Sequence, residues 1–99
     1  MGVRLLAVAR NQQVANEAEF RAWLRQKRGL EGRSLGDVVS RLRRVAGWID
    51  ILDARSDAEV VFWLTQDARF EACSTNVKSQ MKRALTYFRS FYRDMLGKR

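Results

Sequence analysis

The chain has no histidine, no proline and a single cysteine among its 99 residues. Without an imidazole there is no Ser-His or Cys-His pair, no histidine general base and no histidine metal ligand. One cysteine forms no internal disulfide and no thiolate cluster, which suits a reducing compartment, and a cytoplasmic protein is the expectation. The absence of proline leaves long helices unbroken. The longest apolar runs are far short of the ~18–20 residues of a membrane span, and the apolar stretch from Val3 to Ala9 is interrupted by Arg4, too short for a secretory leader. Neither an enzyme nor a cofactor is expected from this inventory.

Positive charge is abundant. Nineteen Lys and Arg against eleven Asp and Glu give a net +8, and Arg supplies most of it, the planar fork suited to phosphate and carboxylate. With 46% hydrophobic residues, including three Trp and five Phe, the chain can build one real core. Nucleic acid, an anionic membrane surface and an acidic protein are the candidate partners. The membrane reading is the weaker one, because the apolar helix faces are needed for the core.

Helical spacing dominates the pattern. Asn16 with Glu19 three residues later predicts a capped helix over 17–28, carrying Phe20, Trp23 and Leu24 and stopped by Gly29. Ser34 with Asp37 predicts a second capped start, and Leu35, Val38, Val39, Leu42, Val45, Ile49 and Leu52 extend that helix to about residue 53. Ser56 with Glu59 opens a third. Its run from Val60 to Leu64 is apolar nearly all round, so it is expected to be the most buried helix. Residues 67–73 fit a short helical turn or a loop. A fourth long helix starts near Ser74 or Thr75 and ends at Leu96 before Gly97, with Val77, Met81, Ala84, Leu85, Phe88, Tyr92 and Met95 as its apolar stripe. Val3 to Val8 fit a strand, a helical turn or an arm. The expected organisation is an N-terminal extension over 1–15 and an all-α domain over 16–97 built as a bundle of four to five helices.

The charge is unevenly placed: residues 1–20 sum to zero, 21–44 to +6, 45–71 to −4 and 72–99 to +6. On the last helix Lys78, Lys82, Arg89 and Arg93 recur at helical spacing, with Arg83 off that line; on the second helix Arg41 and Arg44 share a face. Two same-sign stripes are what a duplex backbone attracts. The acids Asp50, Asp53, Asp57 and Glu59 are better read as helix-end charges or a protein-partner surface than as a metal site. Cys73 reads as a small buried hydrophobe, Trp23, Trp48 and Trp63 as core anchors, and Tyr87 and Tyr92 as core or rim aromatics.

One further pattern stands in the order of the helices. Phe20-Arg21-Ala22-Trp23-Leu24, then Gly29-Leu30, then the Ser34–Trp48 segment, then Asn76–Tyr92 with its basic-then-aromatic ending, resemble the N-terminal core-binding domain of tyrosine recombinases (phage integrases). The resemblance covers roughly 20–92. It implies a SAM-like orthogonal bundle that grips double-stranded DNA with its second and fourth helices. It also implies contacts from Arg41, Arg44, Lys78, Lys82, Arg83 and Arg89, with hydroxyls or helix-start amides from Ser34, Ser74 and Thr75. Val39 stands where that family usually has an aromatic, and the family's Arg-His-x-x-Arg catalytic set cannot form in a chain without histidine. The resemblance therefore implies a non-catalytic DNA-binding unit, a fragment or stand-alone relative. The competing expectation is a small helical assembly module pairing its basic face with an acidic one.

Overall fold

The structure, a computed structural model, describes residues 16–97; the proposed N-terminal extension lies outside them. Five helices follow in order: α1 (Glu17–Arg28), α2 (Gly32–Ala46), α3 (Asp57–Thr65), α4 (Ala68–Glu71) and α5 (Thr75–Gly97). With no strand among the described residues, the chain is an all-α bundle, and the undecided 67–73 segment contains the short α4, capped by Asp67, whose carboxylate accepts the Arg69 N–H at 2.8 Å.

Local chemistry sets most of the boundaries. Gly29 adopts φ 68°, a left-handed conformation that costs glycine little and lets the chain fold back until the Leu30 N–H reaches the Leu24 carbonyl. Ser56 forms the full capping box: its hydroxyl accepts the Glu59 N–H, and the Glu59 carboxylate accepts the Ser56 N–H, each at 3.2 Å. The other two expected boxes do not form. Asn16 sits at the α1 N-cap in a left-handed conformation (φ 62°), and its side chain makes no cap hydrogen bond. Gly32, also left-handed, starts α2 two residues before Ser34, so Ser34 already lies within the first turn and has no capping position.

α2 also ends early, at Ala46 rather than near 53. The Gly47 N–H closes onto the Arg43 and Arg44 carbonyls, and the Asp50 and Asp53 carboxylates then accept the Leu52 and Arg55 N–H groups, which turns the backbone out of the helix. The apolar residues of this stretch are still used, with Ile51 fully buried within an irregular connection.

α5 is the spine that the other elements cover. Met81, Ala84, Leu85, Phe88 and Phe91 are its buried apolar face, and Phe91 takes the place expected of Tyr92. Phe20 of α1 meets Phe88 edge-on at 5.2 Å and Phe91 at 5.3 Å, while the Trp23 indole N–H donates to Asp94 at 2.8 Å. Glu17 joins α1 to α2 through Arg43 at 2.7 Å. Burial opposes its ionisation, but the bonds from Arg43 and Arg21 outweigh it and hold the carboxyl below the usual range.

α3 departs most from expectation. Only Val60 and Leu64 are buried, whereas Phe62 is 59% and Trp63 44% exposed. A nine-residue helix with core on one side buries one i, i+4 edge, and an apolar sequence on the remaining sides stays in solvent. Trp63 is thus a surface residue, and Trp48 and Cys73 are half-buried at the edge of the core.

Substituting Ser56→Ala should lower stability by about 1 kcal/mol through loss of the capping box. Ser34→Ala, which removes no cap bond, should change it by less than about 0.5 kcal/mol. Urea denaturation of the two variants measures both.

Candidate nucleic-acid interface

The fold divides the basic residues of α5 between two flanks. Along the flank facing α3 and α4 the cations meet carboxylates. Arg93 forms a two-bond fork with Asp57 at 3.0 and 2.9 Å, and Lys78 lies 3.4 Å from Glu71 with its ammonium 5.9 Å from the Phe70 ring. Lys82 is exposed and makes no ion pair among the described residues.

Arg89 is not a surface cation. It is buried, at 8% exposure, and spends its guanidinium on the protein itself. Nε donates to Asp57 at 2.6 Å, Nη1 to the carbonyls of Ile51 and Asp53 at 3.0 Å each, and Nη2 to the carbonyl of Arg55 at 2.6 Å. The expectation that Arg89 contacts a phosphate is therefore corrected: helical spacing put it on the basic stripe, but the 47–56 connection wraps over it. Hydrogen bonding from Arg93, with a further contribution from Arg89, outweighs desolvation and lowers Asp57 to about 2.

The acids of this region have internal work as well. Asp57 bonds two arginines, Glu59 closes the α3 box, and Asp50 and Asp53 accept backbone N–H groups. Among the described residues no cluster of three or more Cys, Asp or Glu could hold a metal ion. No described helix is long and apolar enough to cross a membrane.

The other flank of α5 faces α2. The two helices are tied there by the Arg41 Nε donating to the Gln80 side chain at 2.8 Å. Between them lies a groove of about 250 Å³, lined by Ser34, Asp37, Arg41, Gln80 and Arg83, with Leu30, Val38 and Tyr87 as its apolar base. Arg28, from the end of α1, lies 5.3 Å from the Trp23 ring and 5.2 Å from the Tyr87 ring. Arg44, one turn beyond Arg41, is exposed and lies 5.7 Å from the Trp48 ring. Among the described residues Arg28, Arg41, Arg44 and Arg83 form no salt bridge.

Of the residues singled out from sequence, Ser34, Arg41 and Arg83 thus share one groove and Arg44 adjoins it. Lys78 and Lys82 occupy the opposite flank, Thr75 is exposed at the first turn of α5, and Arg89 is interior. Arg83, placed off the stripe by its spacing, belongs to the flank that keeps its charge. Arg28, Gln80 and Tyr87 carried no sequence signal beyond polarity and helical phase. A larger depression of about 720 Å³ lies between residues 52–58 and the end of α5; of its cations Arg89 and Arg93 bond Asp57, and Arg55 lies 3.9 Å from the Trp63 ring centroid.

No known protein family, curated protein or solved structure matches the chain.

Two outcomes follow from the Arg89 cluster. Arg89→Ala strands several carbonyls and should cost about 3 kcal/mol. Arg89→Lys, which keeps the charge but loses the fork, should recover only part of that in a denaturant titration. The depressed Asp57 contributes stability that is fully present above its ordinary pKa of 3.8 and is lost as pH falls toward about 2. That contribution is about 1–2 kcal/mol once solvent screening is allowed for. The thermal midpoint should fall between pH 4 and 2, and less steeply in Asp57→Asn.

Proposed function

We propose that the chain is a non-catalytic domain that binds double-stranded DNA through backbone phosphates, with α2 and α5 as the gripping helices. The observation that carries this reading is the α2–α5 groove, where Arg41 and Arg83 form no salt bridge among the described residues and outnumber the one lining carboxylate, Asp37, and where Ser34 adds a hydroxyl. Helix α5 supports it further, having no acidic residue from Thr75 to Arg93 and bearing Ser79, Lys82, Arg83, Thr86 and Ser90 on the side away from the core. Small hydroxyl residues between cations let a phosphate backbone come close and accept or donate hydrogen bonds there. The core-binding domain of tyrosine recombinases, which the sequence resembles, is the type of unit this reading describes. A reducing, cytoplasmic setting is supported by the single, unpaired cysteine.

A second reading, an assembly module, draws on the exposed Phe62 and Trp63 rather than on the acids, which are occupied internally. Light scattering separates the two: a stable oligomer in which Phe62→Ser restores the monomer supports assembly, and a monomer supports the DNA reading.

The direct test is fluorescence anisotropy with a labelled generic duplex at low salt. Micromolar or tighter binding is expected, and no binding at that concentration overturns the proposal. Arg83→Ala should reduce the slope of log affinity against log salt by about one. Arg93→Ala, whose charge already serves Asp57, should change the slope by much less.

A further inference from the structure

Arg69 lies in the acidic part of the sequence, and nothing in its spacing marks it as a site. The fold nevertheless brings it to Trp48, whose ring centroid is 5.4 Å from the Arg69 guanidinium carbon and 5.7 Å from that of Arg44. The two guanidiniums come from different elements, α4 and α2, and are at most about 11 Å apart around one indole. Over such a span a duplex presents about six phosphate charges.

Arg69 is also held in place. Its Nε and Nη2 donate to the Asp67 carboxylate at 3.0 and 2.7 Å, and that same carboxylate caps α4 through the Arg69 N–H at 2.8 Å. This fixes one edge of the fork and leaves Nη1 without a hydrogen bond among the described residues. An arginine already ordered by an aromatic plane and a carboxylate loses little side-chain freedom on meeting a phosphate. Arg44 is one helical turn from Arg41, so the pair continues the α2–α5 groove toward the far end of α2.

We propose that Arg44 and Arg69, stacked against Trp48, form a second backbone-phosphate contact, so that the duplex footprint runs along α2 and crosses onto α4. The inference rests on the DNA-binding reading and adds to it a contact from outside the two gripping helices. Asp67 is its internal competitor: it orients Arg69 and offsets part of its charge.

The experiment is duplex titration at several salt concentrations with the full chain and three variants. Arg69→Ala should lower the salt slope measurably but by less than Arg83→Ala does in the groove, because Asp67 offsets part of its charge. Asp67→Asn keeps an N-cap-competent side chain while releasing Arg69, and should tighten binding about threefold at low salt. Asp94→Asn, which adds the same unit of charge near Trp23, should tighten it by less. If Arg83→Ala lowers the slope while Arg69→Ala leaves it unchanged, or if Asp67→Asn gains no more than Asp94→Asn, the second contact is wrong and the groove reading stands. If the unaltered chain binds no duplex, both are wrong.

Discussion

The arrangement depends on one buried guanidinium. Arg89 reaches from the middle of α5 into the 47–56 connection and satisfies three of its carbonyls while pairing with Asp57 at the start of α3. A chain leaving a helix and burying Ile51 in irregular backbone has carbonyl groups with no ladder to join. Arg89 supplies the donors that a helix or sheet would otherwise supply. Lysine, with a compact ammonium rather than a fork, could not reach carbonyls spread over five residues and a carboxylate together. The ion pair alone is weak evidence of stability, since burying charge has its own penalty; the filled hydrogen bonds are what make the cluster favourable.

That internal use of charge decides what remains for solvent. Asp57 bonds both Arg89 and Arg93, Glu71 stands by Lys78, Glu17 takes Arg43 and Arg21, and Asp67 takes Arg69. The cations that form no salt bridge among the described residues are consequently nine: Arg25, Lys27, Arg28, Arg33, Arg41, Arg44, Arg55, Lys82 and Arg83. Four of these nine lie at or beside the α2–α5 groove: Arg41 and Arg83 line it, and Arg28 and Arg44 adjoin it. Stacking on Trp23, Tyr87 and Trp48 further orders Arg28 and Arg44, which limits the entropy lost when an anion is gripped.

Helix existence was legible because it is written in short-range signals. Phe20, Trp23 and Leu24 at helical spacing, the Ser56–Glu59 box and the glycine after Arg28 each act within a turn of the chain, and each appears where its spacing places it. The misreadings share a different cause. Ile49 and Leu52 continue the phase of α2, but Gly47 and the two aspartates turn the chain, and Arg89 makes that turn tolerable from 38 residues away. The apolar run of α3 predicts burial on every side, yet only one side has a neighbour. Ser34 and Asp37 have capping-box spacing, but Gly32 starts the helix first.

The sequence by itself determined an all-α chain with a basic bias and the faces on which Arg41, Lys78 and Lys82 lie, because helical phase and capping depend on residues within a few positions of one another. Which cations remain available was decided only by tertiary structure. Arg83 faces an open groove and Arg89 a wall of carbonyls, although both belong to one helix and differ by six positions. Coulomb attraction and hydrogen bonding act across space, so the partner that neutralises an arginine is set by how the helices pack and not by its neighbours in the chain.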